Sequence, residues 1–107
     1  MPISPGTAPV ASQTKGWTKF AGATGTTSAS ENVTSVNRSG TGVYQINWTN
    51  AFATANYVVT YGYEDALALF VRITAQAAGS VTLTIITPAG AAADPTAVHV
   101  TAHGTLA

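Results

Sequence analysis

The sequence has 107 residues, which suits a single domain. It has no cysteine, which excludes disulfides and thiolate chemistry, and no net charge, which argues against nucleic acid because phosphate binding needs clustered Lys or Arg. We find neither an apolar run long enough to span a membrane nor a signal-peptide pattern, so we expect no membrane insertion and no secretory leader.

The scarcity of charged side chains is the most unusual property of the composition. Lys, Arg, Asp and Glu make up 7% of the chain, against roughly 25% in an average domain. Because a surface so poor in charge is prone to associate, we expect much of it to face other protein, above all copies of the same chain. The alternative is a soluble monomer covered by its 18 threonines.

The N-terminal segment, residues 1–14, is rich in Pro, Ser, Thr, Ala and Gly and carries no charge. This composition predicts an extended arm rather than a packed element. Two interpretations are open: a disordered tail, or an arm that threads onto a neighbouring subunit or onto a larger protein shell.

Residues 15–107 have an all-β pattern in which Val, Ile and Thr greatly outnumber Leu. Short segments of alternating apolar and polar residues are separated by Gly-, Pro- and Asn-containing turns. This spacing predicts one antiparallel β-sandwich or small barrel. We place seven strands near 14–20, 32–38, 43–48, 57–63, 67–74, 81–87 and 97–103.

The segment from Asp65 to Gly79 fits two templates. A helix would have Asp65 as its N-cap and Gly79 just beyond its C-terminus. A strand would place Leu67, Leu69, Val71 and Ile73 on one face, with Ala68, Phe70, Arg72 and Thr74 opposite. The β-branched residues of this segment favour the strand.

The alternating apolar positions also predict a core. The opposite faces are mostly Thr, Ala, Gln and Asn, and a neutral face of this kind can pack on an equivalent face across a rotation axis. The expected core residues are Trp17, Phe20, Val36, Tyr44, Ile46, Trp48, Tyr57, Val59, Leu69, Val71, Ile73, Val81, Leu83, Ile85, Val98 and Val100.

The best candidates for ligand or partner contact lie at the end of the fourth predicted strand. Tyr61 and Tyr63 alternate there, and Tyr rings either stack on sugars or pack within a sheet face. Glu64 and Asp65 follow directly. As neighbours on an extended chain they point apart, so they form a poor acid/base pair, and no calcium-ligand spacing surrounds them. We expect them to lie in a solvated loop.

His99 and His103 are predicted on one face of the last strand, about 13–14 Å apart, which is too far for one zinc ion to bind both. Around a threefold axis, three copies of either histidine would meet as a metal site or as a stack of rings. The alternative is ordinary surface or interface histidines. No Gly-x-Ser-x-Gly elbow or phosphate-binding loop is present, so we expect no enzyme, no cofactor and no resident metal.

Three segments together resemble a β-module of tailed-phage virion proteins, often found at the ends of tail fibres. The first segment, residues 37–59, reads Gly-Thr-Gly-Val-Tyr-Gln-Ile-Asn-Trp-Thr at 40–49 and Ala-Asn-Tyr-Val-Val at 55–59, with Arg38 and Ser39 before Gly40 and with Trp48 where the module usually has Phe. The second, residues 15–22, resembles the module's opening Lys-Ala-Trp-Val-Asn-Phe-Asn-Gly, with Gly, Thr, Lys and Ala substituted. Asp94 and the segment 98–100 resemble its closing strand, so the similarity runs from about Lys15 to Gly104.

The resemblance implies a homotrimer in a virion, on the capsid surface or the tail. One expected role is capsid decoration or cement, with the major capsid protein or another virion protein as partner. The second is a tail-fibre or spike tip that binds a host-surface glycan, and the third is a stand-alone carbohydrate-binding module. The short segment before Lys15 favours decoration, because a fibre tip normally follows a long shaft.

Overall fold

A computed structural model of the chain describes residues 14–107, which form eight β-strands and no helix. The expected all-β antiparallel sandwich is confirmed. The predicted arm, residues 1–14, lies outside the described residues except for Thr14, which begins the first strand. The strands are β1 Thr14–Ala21, β2 Thr27–Glu31, β3 Val33–Gly40, β4 Val43–Trp48, β5 Val58–Glu64, β6 Phe70–Ala77, β7 Ser80–Ile86 and β8 Ala97–His103.

The strands form two four-stranded antiparallel sheets. Sheet A has the order β2-β1-β8-β5, and sheet B has the order β3-β4-β7-β6. The chain changes sheet after β2, β4, β5 and β7. The central strands β1, β8, β4 and β7 show the alternating burial of a two-residue period, so each sheet has one inner and one outer face.

The prediction of seven strands missed β2. All five residues of β2, Thr-Ser-Ala-Ser-Glu, are exposed, so this strand has no apolar alternation and forms by pairing with β1. The chain then turns at Asn32, whose φ of 58° is left-handed. The Asn32 side chain stabilises this corner by accepting from the Asn50 N–H at 2.7 Å and donating to the Lys15 carbonyl at 3.0 Å.

The ambiguous segment after Asp65 is a strand, as the β-branched residues favoured, but it begins at Phe70 rather than at 67. In its register with β7, Val71 lies opposite Ile85 and Ile73 opposite Leu83 on the inner face. Residues 65–69 instead form a short connection, where the Asp65 carboxylate accepts a hydrogen bond from the Leu67 N–H at 2.9 Å.

Most of the predicted core is confirmed, and the errors have geometric causes. Trp17 faces outward because its neighbours Gly16, Thr18 and Phe20 point inward, and its indole donates to Glu31 at 3.1 Å. Ile73 is 39% exposed on the edge strand β6. Phe52 and Ala102 were missed, and Phe52 stacks on Tyr57 with ring centroids 4.0 Å apart. The core consists of Phe20, Tyr44, Ile46, Trp48, Phe52, Tyr57, Leu69, Val81, Leu83, Ile85, Val98, Val100 and Ala102.

One carboxylate joins the two sheets. Asp94, on the loop that leads into β8 of sheet A, accepts hydrogen bonds from three groups of the β3–β4 hairpin of sheet B. These are the Arg38 guanidinium at 2.5 Å, the Gly42 N–H at 2.7 Å and the Tyr44 hydroxyl at 2.7 Å. The Tyr44 oxygen also lies 2.7 Å from the Gly22 carbonyl, so its one proton is shared between two acceptors.

Gly42 and Gly22 allow the two sheets to come close together at Asp94. Gly42 has a φ of +71°, and a Cβ there would lie 2.4 Å from the Ile85 carbonyl oxygen, so only glycine presents its N–H to Asp94 without strain. At Gly22, a Cβ would overlap the Pro95 carbonyl oxygen at 1.8 Å.

The surroundings of Asp94 make its ionised form stable. Burial raises the pKa of Asp94, but the hydrogen bonds from Arg38, Tyr44 and Gly42 outweigh it and lower the pKa from 3.8 to about 2. Burial is the larger cause that raises the pKa of Tyr44, and the hydrogen bond to Asp94 raises it further, so this phenol stays protonated. Asp94 therefore holds a charge between the sheets at any pH well above its pKa.

We predict that Asp94 makes the fold acid-sensitive. Because its folded pKa is depressed, its contribution of about 2 kcal/mol is fully present above pH ~4 and is lost as the pH falls toward 2. Asp94→Asn should lose about 2 kcal/mol of unfolding free energy at pH 7 and show a shallower further loss between pH 4 and pH 2. Urea unfolding across this pH range measures both effects.

The matched control is Asp65→Asn, which makes the same charge change in an exposed loop. We expect a change of about 0.5 kcal/mol or less. If the unfolding free energy of Asp94→Asn fell as steeply between pH 4 and pH 2 as that of the native chain, the role given to Asp94 would be contradicted.

Candidate binding groove between two edge strands

The sandwich is open along one side. Among residues 14–107, β5 pairs only with β8 and β6 only with β7, so the two strands form neighbouring edges of sheets A and B. Edge strands carry unpaired backbone groups and are common sites of further association. The open side of this sandwich is therefore a candidate binding site.

A groove of about 490 Å³ runs between these two edges. Its floor includes Leu69, which is 7% exposed, while Tyr61 and Phe70 at its rims are 44% and 55% exposed. No lining side chain is charged. The groove is lined by Tyr61, Gly62, Tyr63, Leu69, Phe70 and Val71.

Side-chain hydrogen bonds connect the two edges across the groove. The Tyr61 hydroxyl donates to the Val71 carbonyl at 3.1 Å, and the Leu69 N–H donates to the Tyr63 hydroxyl at 2.8 Å. Beyond the groove, the Gln76 amide donates to the Tyr57 carbonyl at 2.6 Å. Among the described residues, the Tyr63 hydroxyl donates to no acceptor and the Tyr61 oxygen accepts from no donor, so both groups are available to a ligand.

The structure brings together two of the four residues predicted for ligand contact. Tyr61 and Tyr63 line the groove, but Glu64 lies on the outer face of sheet A, 3.0 Å from Lys19 and 2.5 Å from His99. The hydrogen bond from Lys19 is the largest cause that lowers the pKa of Glu64, and the hydrogen bond from His99 lowers it further. The Asp65 carboxylate accepts a hydrogen bond from the Leu67 N–H and does not reach the groove lining.

Sequence reasoning missed the contribution of β6 to the groove. Leu69 was expected in the core, and Phe70 was placed on the face opposite Leu69 without a role. The available signal was the short connection between Tyr63 and Phe70, which keeps two aromatic strand ends close together. It did not show that the two strands belong to different sheets.

The two histidines lie on the outer face of sheet A, since Val98, Val100 and Ala102 of the same strand point inward. His99 contacts Glu64, and the His103 Nδ1 lies 3.5 Å from the Thr14 hydroxyl. Within residues 14–107, no three His, Asp or Glu side chains are grouped as metal ligands. Whether either histidine lies on a threefold axis stays a prediction.

The charged residues are distributed unequally between the two outer faces. Sheet A carries Lys19, Glu31 and Glu64 together with the histidines, and Arg38 and Asp94 pair between the sheets. On the outer face of sheet B, Arg72 is the only charged residue in the part of the chain described. We call this surface the neutral face; besides Arg72 it comprises Ser35, Asn37, Val43, Gln45, Asn47, Phe70, Thr74, Ser80, Thr82, Thr84 and Ile86.

The neutral face is ordered by its own hydrogen bonds. The Thr74 and Thr84 hydroxyls lie 3.2 Å apart, and the Asn47 amide donates to the Ser35 hydroxyl at 3.1 Å. These short polar side chains partly satisfy one another, which lowers the cost of removing water from the face.

Comparisons with known protein families, with curated proteins and with solved structures found no match. A search of the described residues for a helix long and apolar enough to cross a membrane found none. The resemblance stated from the sequence thus stands on the motif residues alone.

We predict that the groove floor and its rim contribute differently to stability. Leu69→Ala should lower the unfolding free energy by about 2–4 kcal/mol, because it removes a buried side chain. Phe70→Ser should change it by about 0.5 kcal/mol or less, because more than half of this ring is already exposed. Urea unfolding measures both, and a large loss for Phe70→Ser would show that the ring belongs to the core.

Proposed function

We propose that this chain is a structural module of a tailed-phage virion that assembles as a homotrimer and decorates the capsid surface, bound to the major capsid protein or another virion protein. The neutral face is the observation that carries the proposal. The single charge of this four-stranded surface, Arg72, lies on the edge strand β6, so the other strands can be desolvated at little cost while Arg72 stays at the margin of the contact. Such a surface suits contact with an equivalent surface or with another protein.

The charge distribution favours the neutral face over the outer face of sheet A as the contact between copies. Burying the cluster of Lys19, Glu64 and His99 would require each charge to keep a partner in the interface. In this arrangement sheet A remains hydrated, and His99 and His103 would lie away from the trimer axis.

The motif residues support the phage assignment through the fold. The residues of the resemblance include Gly22, Gly42, Tyr44 and Asp94, which make three of the hydrogen bonds that join the sheets, whereas Arg38, which also donates to Asp94, departs from the motif. A similar module would need the same residues to form the same junction.

We predict that the native chain sediments at three times its monomer mass and that Thr84→Lys on the neutral face disrupts the trimer. An uncompensated lysine in the interface should weaken association by about 100-fold or more, since such a charge costs about 3 kcal/mol or more. Analytical ultracentrifugation at micromolar concentration measures this effect.

Thr101→Lys is the matched control. Thr101 lies on a central strand of sheet A, and its hydroxyl contacts that of Thr60 as the Thr84 hydroxyl contacts that of Thr74. It should leave the trimer intact. A native chain that sediments as a monomer would refute the homotrimer, and equal disruption by both variants would refute the assignment of the face.

The second candidate is a fibre or spike tip that binds a host-surface glycan. The exposed Tyr61 and Phe70 rings favour it, because exposed aromatic rings stack on sugars. The groove lacks the carboxylate and amide groups that usually fix sugar hydroxyls, and Glu64 points to another face. Because the groove lining lacks these groups, we prefer capsid decoration to glycan binding. A stand-alone carbohydrate-binding module would use the same groove.

If the glycan hypothesis is correct, fluorescently labelled protein should stain host cells, and Tyr61→Ala should reduce the staining by about tenfold because it removes a stacking surface worth about 1 kcal/mol or more. Thr101→Ala, on the outer face of sheet A, is the control and should stain normally. Absence of staining by the native protein would refute this candidate and leave decoration untouched.

A further inference from the structure

The groove between β5 and β6 matches one segment of this same chain. Residues 1–13 read Met-Pro-Ile-Ser-Pro-Gly-Thr-Ala-Pro-Val-Ala-Ser-Gln, with three prolines and no charged side chain. Pro2 and Pro5 have the spacing of a Pro-x-x-Pro motif. Such segments favour the polyproline II conformation, and they bind in grooves lined by aromatic side chains.

The groove has the chemistry that a Pro-rich segment requires. The Tyr61 and Phe70 rings offer flat apolar surfaces at the rims, and Leu69 forms an apolar floor. A proline has a carbonyl acceptor but no N–H donor, and the Tyr63 hydroxyl retains a proton that it can donate to such a carbonyl. Neither partner is charged, so binding buries no ion.

The segment is long enough to reach the groove. Thr14 lies opposite His103, while Tyr61 and Tyr63 lie opposite Val100 and Val98 further along the same strand. The offset is about 10–17 Å along β8 and about 10 Å across two strand spacings. Thirteen residues in polyproline II extend about 40 Å, so they can reach the groove of their own chain or that of an adjoining copy.

We propose that the groove binds residues 2–7 of the Pro-rich N-terminal segment of this chain, and that residues 8–13 span the distance from Thr14 to the groove. Binding would cover the exposed Tyr61 and Phe70 rings and close the open side of the sandwich. This proposal does not depend on the virion role, because it rests on the groove and on the composition of the segment.

Cysteine cross-linking of the full-length chain tests this proposal, since the native sequence has no cysteine. We would combine Thr7→Cys with Ala68→Cys, an exposed position beside Leu69 in the connection before β6. Under mild oxidation we expect a disulfide, seen on non-reducing gels as a faster monomer or as a ladder of linked chains. Both products place the segment at the groove, within one chain or between copies, provided that neither single variant, Thr7→Cys or Ala68→Cys, forms linked dimers under the same conditions.

The matched control combines Thr7→Cys with Ala29→Cys, an exposed alanine on β2 at the opposite edge of sheet A. Cross-linking there should be about tenfold slower, which corresponds to about 1.4 kcal/mol of preference. Adding Phe70→Ser, or replacing both Pro2 and Pro5 by Ala, should slow the Ala68→Cys reaction by a similar factor. Equal rates at the two positions, or rates unaffected by these replacements, would overturn the proposal.

Discussion

The sandwich depends on one carboxylate. Asp94 precedes the central strand of sheet A and is hydrogen-bonded to a guanidinium, a turn N–H and a phenol of sheet B. The cost of removing an acid from water is offset because these groups stabilise its charged form, which lowers its pKa to about 2. Ile46, Leu83, Val98 and Val100 belong to the buried apolar layer between the sheets. Apolar burial is non-directional, whereas the hydrogen bonds to Asp94 set the alignment of the two sheets at this end.

This constraint separates residues that form the module from residues that give it a role. Four of the residues that resemble a phage virion module, Gly22, Gly42, Tyr44 and Asp94, form the junction between the sheets. Because a scaffold does not fix a role, the proposals of capsid decoration, a fibre tip and sugar binding are all compatible with it. The role must instead come from surfaces that the motif leaves free, and the groove and the neutral face are the two such surfaces with a distinct chemistry.

Most charged side chains of residues 14–107 lie on the outer face of sheet A or between the two sheets. The outer face of sheet A keeps Lys19, Glu31 and Glu64 hydrated, and the Arg38–Asp94 pair is used inside. The outer face of sheet B and the groove are thereby left almost free of charge. A chain with 7% charged residues thus has one hydrated face and two surfaces suited to contact with protein.

The pattern of residues along the chain was enough to predict an antiparallel all-β sandwich, seven of its eight strands and most of its core, because the two-residue period of half-buried strands is a local property. It was not enough for β2, which has no apolar residues to alternate, or for Trp17, whose outward direction follows from the register of β1 on β8. The groove could not be read from local pattern either, since Tyr61 and Phe70 meet only when two strands of different sheets become adjacent edges. The same holds for the neutral face, because strand order decides which polar residues share a surface, and strand order is set by long-range packing.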